Sequence, residues 1–244
     1  MPGAFEGKLA VVTGATSGIG AALVRRLYAE GAQVTGLGRR GDTLAAETTR
    51  GEGRFIPVCA DLAEPAGRAR AIAEILERAP RIDLVVNNAG EAAYGSPLEL
   101  GAAGWRALFE INLHAAIELA VELAPRIAPG GHLINVSSVT ARFSPNMRFA
   151  AYAATKAALD RATEALRLEL DPLGIHVTSI APGLVETELY DKVAGFAETR
   201  SKISRQIPHW LSAGDVADAI VWIVTRPAHV VIADLVILPL GQGR

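Results

Sequence analysis

Six short apolar runs rich in Val, Ile and Leu recur at residues 9–12, 34–37, 55–58, 84–86, 133–136 and 177–180, each followed by a longer stretch with helical spacing. Near-continuous apolar strands indicate burial on both faces. Strands that alternate with helices build a parallel sheet. The rhythm therefore predicts an α/β chain: a doubly wound parallel sheet with helices on both faces. Helices are expected over 19–30, 68–78, 105–127 and 152–170, with Gly31, Gly130 and Gly174 just past three of their ends. A left-handed cap is wanted there.

The 244 residues suit one large domain, 1–244, and no repeat, low-complexity tract or long polar linker offers a second one a place to begin. Only 186–212 breaks the rhythm, and this segment is expected to act as a mobile substrate-binding loop that closes over a site. Half of the residues are hydrophobic, ample for a core, and the formal net charge of -2 gives no basic footprint for nucleic acid. The N-terminal residues lack a secretory pattern and no stretch is apolar for long enough to span a bilayer. A cytoplasmic protein with no membrane partner is expected. The single cysteine, Cys59, falls within an apolar run and is expected to be a buried structural thiol.

Directly after the first strand comes Thr13-Gly14-Ala15-Thr16-Ser17-Gly18-Ile19-Gly20, leading into a helix. A helix N-terminus presents unpaired N–H groups and a positive dipole end, and glycine lets a pyrophosphate approach the backbone. The Gly-x-x-x-Gly-x-Gly spacing differs from the commoner dinucleotide fingerprint, so alone it is a moderate signal. At the end of the second strand, where an NAD site presents a carboxylate to the ribose, this chain has Gly38-Arg39-Arg40. A guanidinium there pairs with a 2′-phosphate, which favours NADP(H), with Arg39 the better candidate of the two. Asp42 comes too late after the strand to be the ribose ligand.

Tyr152 and Lys156 are four positions apart and share one helix face. A free phenol titrates near ~10, and a neighbouring ammonium favours its ionised form, so Lys156 is expected to tune Tyr152 for proton transfer. Ser137 and Ser138 end the fifth strand, where a hydroxyl can reach the ligand crevice. Asn112 interrupts an otherwise good helix, which suggests a local distortion, a bound water or a satisfied core amide. Each residue alone has a bland explanation. Their joint occurrence with a nucleotide turn does not.

On these residues the chain resembles the short-chain dehydrogenase/reductase family, of its NADP(H)-preferring type, over essentially its whole length. The matching motifs are the glycine-rich turn, Asp61-Leu62, Asn87-Asn88-Ala89-Gly90, Asn112, Ser138, Tyr152-x-x-x-Lys156 and Pro182-Gly183-x-Val185-x-Thr187. The resemblance implies a Rossmann-like domain and a cofactor site formed by Gly14, Thr16, Ser17, Gly18, Ile19, Gly20, Arg39, Arg40, Asp61, Leu62, Asn87, Ala89, Gly90, Tyr152, Lys156, Pro182, Gly183, Val185 and Thr187. It implies that Tyr152 gives its proton to a substrate oxygen and that Ser138, chosen over Ser137 partly on this ground, stabilises that oxygen. Lys156 would bind the nicotinamide ribose, and Asn112 would hold a water in a proton relay.

The reaction so implied is hydride transfer between NADP(H) and a carbonyl or alcohol. The apolar C-terminal stretch 230–239 resembles reductases of aldehydes, hydroxy acids and secondary metabolites. The alternative is a non-catalytic NADP(H)-binding sensor or scaffold, for which the Tyr152 and Lys156 pair would be unnecessary. Two departures from the family stand out. The stretch from Ser138 to Tyr152 is one residue longer than expected, around Asn146-Met147-Arg148-Phe149, and Glu91 stands where an aliphatic residue is usual. The candidate substrate pocket comprises Glu91, Tyr94, Val139, Arg142, Met147, Phe149, Leu184, Leu189, Tyr190 and Trp210, although a solvated position is expected for Glu91, Arg142 and Arg148. No metal site is expected. A homodimer or homotetramer is, paired through the helices at 105–127 and 152–170.

Overall fold

The computed structural model describes residues 3–143, 147–191 and 193–242. Strands β1 (Leu9–Thr13), β2 (Gln33–Gly38), β3 (Phe55–Cys59), β4 (Ile82–Asn87), β5 (Ile127–Val136), β6 (His176–Pro182) and β7 (Asp234–Ile237) form one sheet in the order β3-β2-β1-β4-β5-β6-β7. Every pairing is parallel. The chain winds outward from β1 to β3, returns to the other side of β1 as β4, and winds outward again. Loops leaving the carboxyl ends of β1 and β4 therefore diverge, and a crevice opens at that reversal.

Successive strand residues point to opposite faces, and both faces are covered. Ala10 and Val12 of β1, with Leu84 and Val86 of β4, pack under α1 (Gly18–Ala29) and α8 (Ala213–Val224). Val11 and Val85 face the other way, toward α3 (Pro65–Arg78), α5 (Ala115–Leu123) and α6 (Ala150–Leu170). Side chains such as Leu23, Leu27, Leu119 and Leu133 are fully buried, each stabilising the fold by about 1.5–3 kcal/mol relative to exposure. The remaining helices are α2 (Gly41–Arg50), α4 (Pro97–Phe109) and α7 (Ala197–Gln206). Ser96 and Ser212 start α4 and α8 with reciprocal capping boxes to Glu99 and Asp215.

The structure corrects three expectations. The helix expected over 105–127 is broken into α4, a π-helical turn at Glu110–His114, α5 and a 3₁₀ turn at Ala124–Arg126. Pro125 has no N–H to continue α5, and Ile127 already belongs to β5. Gly130, with φ of 81°, lies within the irregular start of β5 and caps no helix, whereas Gly31 and Gly174 have positive φ at helix ends as expected. Cys59 is exposed because β3 is the edge strand of the sheet. The helices α2, α7 and α8 and the last strand, β7, are not marked by the sequence rhythm. No helix among the described residues is long and apolar enough to cross a membrane.

Candidate active site

The crevice at the sheet reversal is a cleft of about 380 Å³. Its floor is the glycine-rich turn, where Gly14 and Gly18 adopt φ of 66° and 51°, a region that side chains other than glycine rarely enter. A Cβ on Gly20 would sit 2.2 Å from the Gly14 carbonyl oxygen, so Gly20 closes the turn onto α1 and does not line the cleft. Ser17 precedes α1 in an extended conformation and its side chain caps nothing, leaving the first-turn N–H groups of α1 to the cleft. The donor chemistry fits a pyrophosphate. Thr13 ties this turn to the end of β4: its Oγ1 accepts from the Asn88 and Ala89 N–H groups at 2.9 Å each.

Most of the expected cofactor residues line the same cleft: Gly14, Thr16, Ser17, Gly18 and Ile19 at the turn, Arg39 and Arg40 after β2, and Asp61 and Leu62 after β3. Ala89 and Gly90 follow β4, Pro182 ends β6, and Gly183, Val185 and Thr187 follow it. Asn87, like Gly20, is not among the lining residues. Its buried amide donates to Ala116 O at 3.0 Å and Asn135 Oδ1 at 2.9 Å, bracing β4 against β5 beneath the cleft. Arg40 donates to Thr16 O at 2.8 Å and pairs with Glu188 at 3.1 Å. Arg39 pairs with Glu91 at 2.6 Å and lies 3.7 Å from Asp61. Glu91 is exposed, as expected of a solvated position, and its carboxylate meets Arg39 at the cleft mouth.

At the other end, Tyr152 and Lys156 project from α6 into the cleft beside Ser138. Ser138 Oγ accepts from Thr140 N at 3.2 Å and Thr140 Oγ1 at 2.9 Å, and Ser138 and Tyr152 line the same part of the cleft. Ser137 points instead at the Lys156 carbonyl, 3.4 Å away, which singles out Ser138 as the hydroxyl beside the phenol. Lys156 Nζ donates to Val136 O at 2.8 Å and lies 6.0 Å from the Tyr152 ring centroid. Burial pushes the Tyr152 phenol above its ordinary value, opposed by the Ser138 hydroxyl. Burial also lowers Lys156 to about 8, with Asp160 acting in the opposite direction. Desolvation therefore sets the direction for Tyr152, and the downward tuning expected from Lys156 is not among its causes.

Asn112 is 1% exposed and sits in the π-helical turn, the distortion that its place in the sequence suggested. Its Oδ1 accepts from Glu91 N at 2.8 Å, and its Nδ2 donates to Glu91 O at 2.9 Å and Thr155 Oγ1 at 3.0 Å. The π turn rotates this amide inward, where it joins the loop after β4 to the helix turn between Tyr152 and Lys156.

Of the expected substrate residues, Glu91, Leu189 and Tyr190 line the cleft. Phe149 forms an aromatic cluster with Tyr152 and Phe196, and Tyr94 packs on both Phe149 and Phe196 behind the cleft. Trp210 backs Tyr190 at 5.7 Å. Arg142 faces away, paired with Asp234 and, at 3.6 Å, with Asp160. Met147 is exposed, Val139 is buried in a 3₁₀ turn, and Leu184 N is bonded to Gln242. Arg148 pairs with Glu99 at 2.7 Å over the Tyr94 ring. Asn146, in the segment expected to be longer than is usual in the family, lies outside the described residues. The sequence reading missed Ala92, Ile111, Val136 and Glu188, which also line the cleft. Val136 ends β5, so the carboxyl-edge rule could have found it; Glu188 gave no signal.

The chain belongs to the short chain dehydrogenase family, whose model matches residues 8–196. It is similar to an uncharacterized oxidoreductase of Staphylococcus epidermidis, 31% identical over 95% of this chain and 97% of that one. A serine 3-dehydrogenase of Agrobacterium fabrum is 32% identical, covering 96% of this chain and 94% of the relative. Among solved structures, a short chain dehydrogenase from Burkholderia cenocepacia in complex with NADP superimposes with a TM-score of 0.86 and 32% identity, over 96% of this chain and 97% of that one.

Proposed function

We propose that this oxidoreductase uses NADP(H) to interconvert a neutral carbonyl and its alcohol. The observation that carries the reading is the buried Ser138, Tyr152 and Lys156 set in the same cleft as the uncapped N-terminus of α1 and the Arg39 guanidinium. A bound nicotinamide supplies or accepts the hydride; everything else is done by the chain. The first turn of α1 holds the pyrophosphate, and Arg39 takes the 2′-phosphate. Lys156 holds the nicotinamide ribose. Tyr152 hands its phenolic proton to the carbonyl oxygen, and Ser138 donates a hydrogen bond to the same oxygen as negative charge develops there. Asn112 is proposed to hold a relay water between Lys156 and solvent.

The raised pKa of Tyr152 keeps the phenol protonated at neutral pH, which suits proton delivery in the reductive direction. The segment at 186–212 brings Tyr190 and Phe196 against Tyr152 and is proposed to close over the substrate, excluding water. The relative named for serine suggests an amino acid, yet Arg142 and Arg148 are each committed to carboxylates of this chain. An uncharged ketone or aldehyde therefore suits the aromatic wall better than serine or a hydroxy acid. We also propose that copies associate through α4, α5 and α6, where Val121 and Leu168 are exposed.

The test is NADPH consumption across a panel of neutral aldehydes and ketones, alongside serine oxidation with NADP and the same assays with NADH and NAD. Turnover of at least one neutral carbonyl, faster with NADPH than with NADH, is expected. Efficient serine oxidation, or a preference for NADH, would overturn the respective part of the reading.

A further inference from the structure

We infer that Glu91 sets cofactor discrimination by competing with the 2′-phosphate for Arg39. This inference rests on the NADP(H) reading above. The competition follows from how each partner is held. The Glu91 backbone is pinned on both sides of its peptide unit by Asn112, through its N–H at 2.8 Å and its carbonyl at 2.9 Å. Its side chain is left to extend across the cleft mouth, where the carboxylate meets Arg39 Nη2 at 2.6 Å. A carboxylate paired with a guanidinium presents the same acceptor geometry that a phosphate would. Glu91 therefore occupies a donor that a 2′-phosphate needs.

The neighbourhood makes this competition consequential. Arg40 is engaged elsewhere, with Thr16 and Glu188, so Arg39 is the guanidinium available for exchange. Asp61 lies 3.7 Å from its other terminal nitrogen. Two arginines here face three carboxylates, those of Asp61, Glu91 and Glu188. A 2′-phosphate carries about −1.5 to −2 charges at neutral pH. Its arrival must displace the Glu91 carboxylate and then tolerate it nearby. Arg39 and Glu91 side chains remain 56% and 49% exposed, so the ion pair is weak and exchangeable, not a locked strut. NADH, which brings a hydroxyl in place of the phosphate, leaves the pair undisturbed.

Glu91 thus lowers NADPH affinity selectively, and an uncharged side chain at this position would not. The experiment is fluorescence titration of NADPH and NADH into the wild type, Glu91→Gln, Arg39→Ala and the double variant, at low and high salt. Glu91→Gln keeps the side-chain shape and both backbone bonds. It is expected to tighten NADPH roughly threefold to tenfold at low salt, less at high salt, with NADH changed by less than about twofold. In the Arg39→Ala background most of that gain should disappear. NADPH binding that is unchanged or weakened in Glu91→Gln, while the wild type still prefers NADPH and Arg39→Ala loses that preference, overturns the inference alone. A wild type that holds NADH as tightly as NADPH, with Arg39→Ala silent, overturns the cofactor reading and the inference together.

Discussion

At one end of the cleft, Asn112, Ser138, Tyr152 and Lys156 are each less than a tenth exposed, and hydrogen bonds anchor Asn112, Ser138 and Lys156 to backbone groups. At the other, Arg39, Arg40, Asp61 and Glu91 keep roughly half of their side-chain surface in solvent and meet through ion pairs. The contrast follows from what each end is proposed to do. Proton transfer needs a hydroxyl held within hydrogen-bond reach in a dry setting, where electrostatic effects are strong. Recognition of a phosphate needs charge that can be exchanged, and exposed pairs worth about 1 kcal/mol or less exchange readily. On this proposal the buried end governs chemistry and the exposed end adjusts affinity.

This contrast breaks most visibly at Lys156. Its ammonium is buried at a cost, which is why its pKa falls to about 8 from an ordinary 10.5. Lys156→Met is expected to lower turnover by at least about a hundredfold. The fold should hold or gain stability, because an apolar side chain replaces a desolvated cation. Between pH 8 and 10.5 the unfolded wild type binds more protons at this site than the folded one, so the stability contribution of Lys156 increases as pH rises through that window. Denaturation at several pH values should show that rise in the wild type and lose it in Lys156→Met. A variant that is both inactive and strongly destabilised would mean that the lysine is a structural strut.

At the exposed end the expectation reverses. Arg39→Ala should weaken NADPH roughly tenfold and leave the melting temperature nearly unchanged, since only exposed pairs are lost. A large drop in stability would erase the distinction between the two ends. A smaller effect sharpens it. Asp160 raises the Lys156 pKa through space, so Asp160→Asn should move the alkaline inflection of kcat/KM, expected near 8, downward by a few tenths of a pH unit. An upward shift would assign that inflection to another group.

How much of this was legible in the sequence depends on the range of each interaction. Tyr152 and Lys156 are one helical turn apart, and the glycine-rich turn is contiguous, so local spacing revealed both. The partners of Glu91 and Arg142 lie 52 and 92 residues away along the chain, and nothing local announces them. Asn112 signalled a distortion, but the π turn depends on bonds to the Glu91 backbone and Thr155 that only the fold brings together. Cys59 belongs to an apolar run, yet its exposure follows from β3 being at the edge, which is a property of strand order. Asn87 fits the family motif but turns its amide beneath the cleft, because Ala116 and Asn135 lie there.

The central claim is that a buried phenol moves the proton in a reaction whose cofactor is held independently of it. Tyr152→Phe tests this most directly, with NADPH binding and carbonyl-dependent NADPH consumption measured on the same preparation. The account predicts wild-type NADPH affinity, within about twofold, and turnover reduced by roughly a hundredfold or more. Turnover close to that of the wild type, with binding intact, would contradict it.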